Sequence, residues 1–171
     1  MSLRGLTSRL RIDQSGAALV EMAIVAPLML TLAAGVFEFS NALHTKLMLE
    51  AGIADGARYV ARCVRVAADK VSCGAAAANI AVTATADGTG AVRVGTCTPT
   101  WAPASVTVSY PTSVPAINPG TLLRDYLSQS TTVEVVEVTT SCQYVGTGLL
   151  TFIGFSPLTL TATHQERVLG W

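Results

Sequence analysis

Between Ala17 and Phe37 the chain reads AALVEMAIVAPLMLTLAAGVF, 21 residues with a single charge, Glu21. A helix needs about 20 mostly apolar residues to cross the hydrocarbon core of a bilayer, so this run predicts a membrane span. Arg4, Arg9 and Arg11 precede it, with only Asp13 against them. By the positive-inside rule they put the N-terminus in the cytoplasm and the rest of the chain outside it. The overall balance of 11 basic and 11 acidic residues hides this asymmetry. Residues 1–16 hold three arginines and one aspartate, leaving eight basic and ten acidic residues in the remainder. A chain that is 50% hydrophobic is too apolar to be disordered. Without a clustered excess of Lys and Arg it has no electrostatic footprint for nucleic acid.

Glu21 is the anomaly in the run. An ionised carboxylate near the middle of a lipid-facing helix costs a few kcal/mol. It either snorkels to the cytoplasmic interface of a simple anchor or meets a cation inside a bundle. A secretory signal peptide has no use for it, although Ala33-Ala34-Gly35 offers a small-x-small pattern for signal peptidase.

The neighbours of Glu21 narrow the choice. In Ser15-Gly16-Ala17-Ala18-Leu19-Val20-Glu21 the glutamate is fifth after a glycine that closes a short basic leader. This resembles a prepilin peptidase site. Pro27, Gly35-Val36-Phe37-Glu38 and the stretch Leu47-Met48-Leu49-Glu50-Ala51-Gly52-Ile53-Ala54-Asp55-Gly56-Ala57-Arg58-Tyr59-Val60-Ala61-Arg62 extend the likeness. Over about residues 14 to 62 the chain resembles the TadE-like family, minor pseudopilins of tight-adherence (Tad, or Flp) type IV pili. The resemblance implies a leader, residues 1–16, removed between Gly16 and Ala17, with Glu21 as the assembly carboxylate. It implies a single-pass protein of the bacterial inner membrane that enters or primes the filament or its tip and serves surface adherence. Its partners would be the prepilin peptidase, other pilins or pseudopilins of the same pilus, and the inner-membrane assembly platform. The physical sense is plain: cleavage would create an ammonium on Ala17, and a neighbouring subunit's Glu21 could pair with it. A matched pair is tolerable where a lone carboxylate is not, and it would also set the axial register of the helices.

Leu43, Leu47, Glu50 or Ala51, Ala54, Ala57 or Arg58, and Ala61 repeat at three and four residues, so the helix is expected to continue past the span to about Val64. The full domain expectation is a leader at 1–16, a long helix at 17–65 with its transmembrane part at 17–37, and an extracytoplasmic domain at 66–171. Pro27 is expected to kink or locally melt the helix, since its ring removes a backbone donor. Gly52 and Gly56 form a GxxxG that permits close helix approach, either to a neighbouring helix or to the protein's own outer domain. Arg58, Arg62 and Arg65 fall near the predicted helix C-terminus, where the helix dipole favours cations. An intersubunit pairing of Arg58, Arg62 or Arg65 with Glu38 or Glu50 of a neighbouring chain is the sharper alternative.

Beyond residue 66 the character changes: 18 of the 21 threonines follow residue 82, and valine and threonine alternate. Strands are the natural reading. Val92 and Val94 are expected on one, Val106, Val108 and Tyr110 on one face of another, a long valine-rich strand or bulged pair at Thr131–Tyr144, and Leu158, Leu160 and Ala162 on one face of a last. Short connections make the sheet antiparallel. Ala75–Ala84 reads as a short helix, Asn118–Leu127 as a helical turn or two, Asp87-Gly88-Thr89-Gly90 as a turn, and Pro99, Pro103, Pro111, Pro115 and Pro119 as loop markers. The expected class is α+β: a long N-terminal pilin-like helix followed by a small antiparallel β domain with disulfides.

Catalytic signatures are missing from the sequence. His44 and His164 are the only histidines, and His164-Gln165-Glu166 matches H-x-E without the P-C-x-x-C that a zinc deaminase needs. No G-x-S-x-G, HExxH, Walker A or GxGxxG motif occurs, so neither an enzyme, a cofactor nor a metal is expected. A permanently anchored extracytoplasmic binding module, and a secreted enzyme freed near Gly35, are the competing classes. The four cysteines, Cys63, Cys73, Cys97 and Cys142, lie on the side of the membrane where disulfides persist. Three pairings exist; Cys63–Cys73, tying the helix end to the following segment, with Cys97–Cys142, joining two strands, is favoured, and disulfides are preferred to metal binding because no CxxC occurs and both histidines lie far from any cysteine in sequence. Alkylation of the purified chain without reductant should therefore add no mass. Four alkyl adducts would mean free thiols.

Overall fold

The computed structural model describes residues 15–128, 130–146, 148, 154 and 157–169. The leader residues Arg4, Arg9, Arg11 and Asp13 lie outside them. The order of elements is helix α1 (Ser15–Cys63), helix α2 (Asp69–Thr83), strand β1 (Cys97–Thr98), a 3-10 turn (Pro103–Ser105), and strands β2 (Val106–Pro115), β3 (Thr132–Tyr144) and β4 (Leu158–Arg167). The chain separates into two compact units, Met1–Ser40 and Asn41–Trp171, with the boundary inside α1.

In the first unit α1 runs through Pro27 without interruption. One turn on, the Thr31 hydroxyl donates to the Pro27 carbonyl at 2.8 Å. The most apolar 18-residue window of α1 has a mean hydropathy of 2.1, and none of it is buried. This is one long apolar N-terminal helix, suited to a single membrane anchor.

The second unit is built around the C-terminal part of α1. Its buried residues are Ala42, Thr45, Leu49, Ile53, Ala57, Val60, Ala61 and Val64, a stripe at helical spacing. This stripe differs from the expected one: Leu43, Leu47, Glu50 and Ala51 face outward, and only Ala57 and Ala61 are shared. The reason is steric. A side chain added at Gly52 would lie 2.5 Å from the Ala81 carbonyl oxygen and 2.9 Å from the Trp101 ring, and one at Gly56 would lie 2.8 Å from the Ala77 carbonyl oxygen. The alanine face of α2 thus rests on the glycines of α1. No side chain fits at these two positions, and the GxxxG is used within the chain.

All strand pairings are antiparallel, with β3 at the centre. β4 pairs along one edge, from Val135↔Arg167 to Tyr144↔Leu158. β2 and then β1 lie end to end on the other, in the registers Val106↔Thr140 and Cys97↔Tyr144. One face carries Val136, Val138, Cys142, Tyr144, Leu160 and Ala162 into the core. The opposite face carries Thr107, Ser141, Thr159, Thr161 and Thr163 to solvent, so hydroxyls keep it wet. Trp101, in the connection from β1 to β2, is buried against Gly52, and its Nε1 donates to Thr140 Oγ1 at 2.9 Å. It pins helix to sheet.

Two expectations are corrected. Val92 and Val94 lie on no strand. The Arg93 amide donates to the Val82 carbonyl of α2 at 2.9 Å, so this segment is tied to a helix end instead of a ladder. Pro111 and Pro115 sit inside β2, not in loops. β2 is an edge strand, where a missing donor is tolerated, and its register shifts between Ser109 and Thr112, leaving Tyr110 and Pro111 opposite Val136 as a bulge. Ala75–Ala84 belongs largely to α2, which begins earlier than expected at Asp69, and Thr131–Tyr144 is one continuous strand. Asn118 to Leu122 closes one helical turn through Leu122 N–H to Asn118 carbonyl at 2.8 Å.

Two disulfides close the unit. Cys63–Cys73 joins the end of α1 to α2 with Cα atoms 5.8 Å apart, and Cys97–Cys142 joins β1 to β3 at 5.4 Å. Between them Lys70 bridges α2 and β3 by pairing with Glu134 at 2.7 Å, and its ammonium lies 4.4 Å from the centre of the Tyr110 ring. Burial, and secondarily the Glu134 charge, push the Tyr110 phenol above its ordinary range.

The glycine contacts generate a test with an internal control. Gly52→Ala forces a methyl against a carbonyl and should cost about 1–3 kcal/mol of stability. Gly74→Ala meets only Val108 at 3.8 Å and should gain about 0.5–1 kcal/mol, because alanine is the better helix former. Urea titrations of both variants, followed by circular dichroism, measure the two shifts. Equal behaviour of the two would contradict the close-packed interface.

Candidate functional site

The sequence-selected residues fall into three places. Gly16, Ala17 and Glu21 occupy the first turns of α1, Glu21 standing one turn beyond Ala17. All three are exposed, and nothing lies within 4 Å of where a Gly16 side chain would be. Leu19, Val20, Met22 and Ile24 are each more than 60% exposed, so Glu21 is a lone carboxylate on a helix that is apolar on every side. Among the described residues it has no ion-pair partner. Such a helix leaves a large apolar surface and one charge uncompensated, which suits a single membrane anchor.

The second place is the α1–α2 contact. Gly52 and Gly56 are buried there by Ala77, Ala81 and Trp101, and are not available as a surface for a neighbouring helix.

The third is the charged end of α1. Asp55 accepts from Arg93 Nη1 at 2.9 Å through Oδ2, and Arg58 approaches its Oδ1 at 3.9 Å. Arg58 and Arg62 are exposed, and with Arg65 and Tyr59 they line a groove of about 600 Å³. Of the acidic residues named with them, Glu38 is buried and Glu50 pairs with Lys46 at 3.4 Å one turn away. The Asp55–Arg93 pair escaped sequence reasoning: 38 residues separate the partners, with the whole of α2 between them, and no spacing rule reaches that far.

The histidines assemble no site with their neighbours. His44 is exposed on α1. His164 and Glu166 share a face of β4 with Nε2 and Oε2 3.5 Å apart, but Nε2 makes no hydrogen bond. Among the described residues, no three His, Cys, Asp or Glu side chains converge as metal ligands would.

The comparisons with known proteins bear on α1. No curated protein and no solved structure matches the chain. One family model does, that of the TadE-like proteins, and the matched segment, residues 16–58, opens at Gly16 and closes at Arg58. It contains Ala17, Glu21, Gly52 and Gly56 and leaves the sheet outside. Over residues 16–58, this chain matches the TadE-like protein family.

Proposed function

We propose that this chain is a minor pseudopilin of a Tad pilus. In this reading it is inserted in the bacterial inner membrane with its N-terminus in the cytoplasm, cut by prepilin peptidase between Gly16 and Ala17, and assembled into the filament or its tip, or used to prime it. It acts as a structural protein in surface adherence and not as an enzyme. The observation that carries the reading is Glu21, a lone exposed carboxylate five residues after Gly16 on a helix with no apolar cover, inside a segment matched to the TadE-like family.

Mechanism follows from charge. Cleavage after Gly16 converts the Ala17 amide into an ammonium at the positive end of the α1 dipole. In a lipid environment that ammonium and the Glu21 carboxylate are each costly alone, and pairing between neighbouring subunits compensates both. Because the two groups stand one helical turn apart in each chain, an intersubunit pair staggers adjacent helices by about 6 Å at 1.5 Å per residue. The assembly partners are other pilins or pseudopilins of the same pilus, gathered at the inner-membrane platform. The 171 residues exceed the length of the very short major pilins of these systems, which supports a minor role. The sheet domain then rides on the filament surface or at its tip.

Glu21→Gln keeps the helix and removes the charge. It should leave leader cleavage largely intact, read as the size of the membrane-extracted chain, while reducing incorporation into sheared pili by about tenfold or more, as the loss of a buried pair at roughly 1.4 kcal/mol per decade implies. Normal incorporation of this variant would remove the ion-pair account.

A further inference from the structure

The groove at the end of α1 has an electrostatic surplus that the rest of the chain leaves unused. Arg58, Arg62 and Arg65 line it, with Tyr59 and Ile80 as its apolar part, and Asp55 is its one acidic residue. The Asp55 carboxylate is already engaged by Arg93 and Arg58. Among the described residues neither the Arg62 nor the Arg65 guanidinium has a hydrogen bond or an ion pair. The helix dipole accounts for only part of this. Arg62 is in the last turn of α1 and gains from it. Arg65 lies past the helix end, and the terminal carbonyls of Val60 and Ala61 are served by main-chain donors, Val64 N–H at 3.1 Å and Leu169 N–H at 2.8 Å. The arginines are not acting as caps.

We propose that this groove is the docking site for an acidic segment of another protein, one presenting two or three Asp or Glu side chains in a row. Three features select that partner. Guanidinium forks match carboxylates in bidentate geometry. The cations are spread along the chain, Arg58 and Arg62 being about 6 Å apart in helical rise, so they meet a row of charges and do not converge on one small anion. Tyr59 and Ile80 offer the methylene stems of such side chains an apolar bed. The proposal rests on the groove alone and holds whether or not the leader is removed.

The test uses the full chain in nanodiscs of neutral lipid at physiological salt. A fluorescein-labelled peptide of six glutamates and one leucine serves as the probe, and fluorescence anisotropy as the readout. Saturable binding is expected. The double variant Arg62→Glu, Arg65→Glu should weaken it by about tenfold or more, the loss of charge-assisted hydrogen bonds worth roughly 1.4 kcal/mol per decade. His44→Glu with Lys46→Glu, which adds three negative charges on exposed or half-buried positions of the same helix about 24 Å of helical rise from Arg62, should leave binding within about twofold, because separated surface charges are screened over a Debye length of about 8 Å. Three results would overturn the proposal: no saturable binding, equal losses in the two double variants, or displacement of the peptide by phosphatidylserine vesicles, which would make the groove a membrane contact.

Discussion

The second unit depends on how closely two helices approach. At Gly52 and Gly56 the backbone of α1 lies so near the Ala77 and Ala81 carbonyls that a single methyl would not fit. That proximity brings Trp101 onto α1, and Trp101 in turn holds Thr140 of the central strand. The consequence is an α+β unit whose core includes the same helix that begins as an apolar span. Cys63–Cys73 locks the far end of this contact, and Cys97–Cys142 locks the strand on which Trp101 depends. Small residues, commonly a sign of association between membrane helices, serve intramolecular packing here.

The span obeys a different physics. Among the described residues its most apolar window has no cover, and Glu21 has no compensating charge. A carboxylate there is tolerable only near an interface or beside a cation. In the proposed reading, which the match of residues 16–58 to the TadE-like family supports, that cation is the new amine that cleavage after Gly16 would create.

Long-period features were legible from sequence. A 21-residue apolar run, a helix reaching Cys63 and an antiparallel valine and threonine sheet each follow from composition or from spacing repeated over many residues, and the two bridges are the favoured one of three possible pairings. What failed depended on contacts distant in sequence. The buried stripe of α1 was misplaced toward Leu43 and Leu47 because hydrophobicity ranks leucine above glycine, while the partner surface selected glycine. Val92 and Val94 alternate as a strand would, yet the Arg93 amide is claimed by Val82 and its guanidinium by Asp55. Pro111 and Pro115 mark an edge strand, a distinction that exists only once strand order is known. Of the candidate site, Gly16 and Glu21 could be chosen from sequence because their spacing is local. The arginine groove could be glimpsed as a row of cations, but its apolar residue Ile80 comes from α2 and could not.

The central claim is that Gly16 ends a leader and Ala17 begins the working protein. Intact mass of the chain extracted from membranes of cells that carry the prepilin peptidase tests it most directly. A polypeptide starting at Ala17, with both disulfides in place, is the predicted result. A polypeptide retaining residues 1–16 would contradict it and leave a permanently anchored binding module in its place.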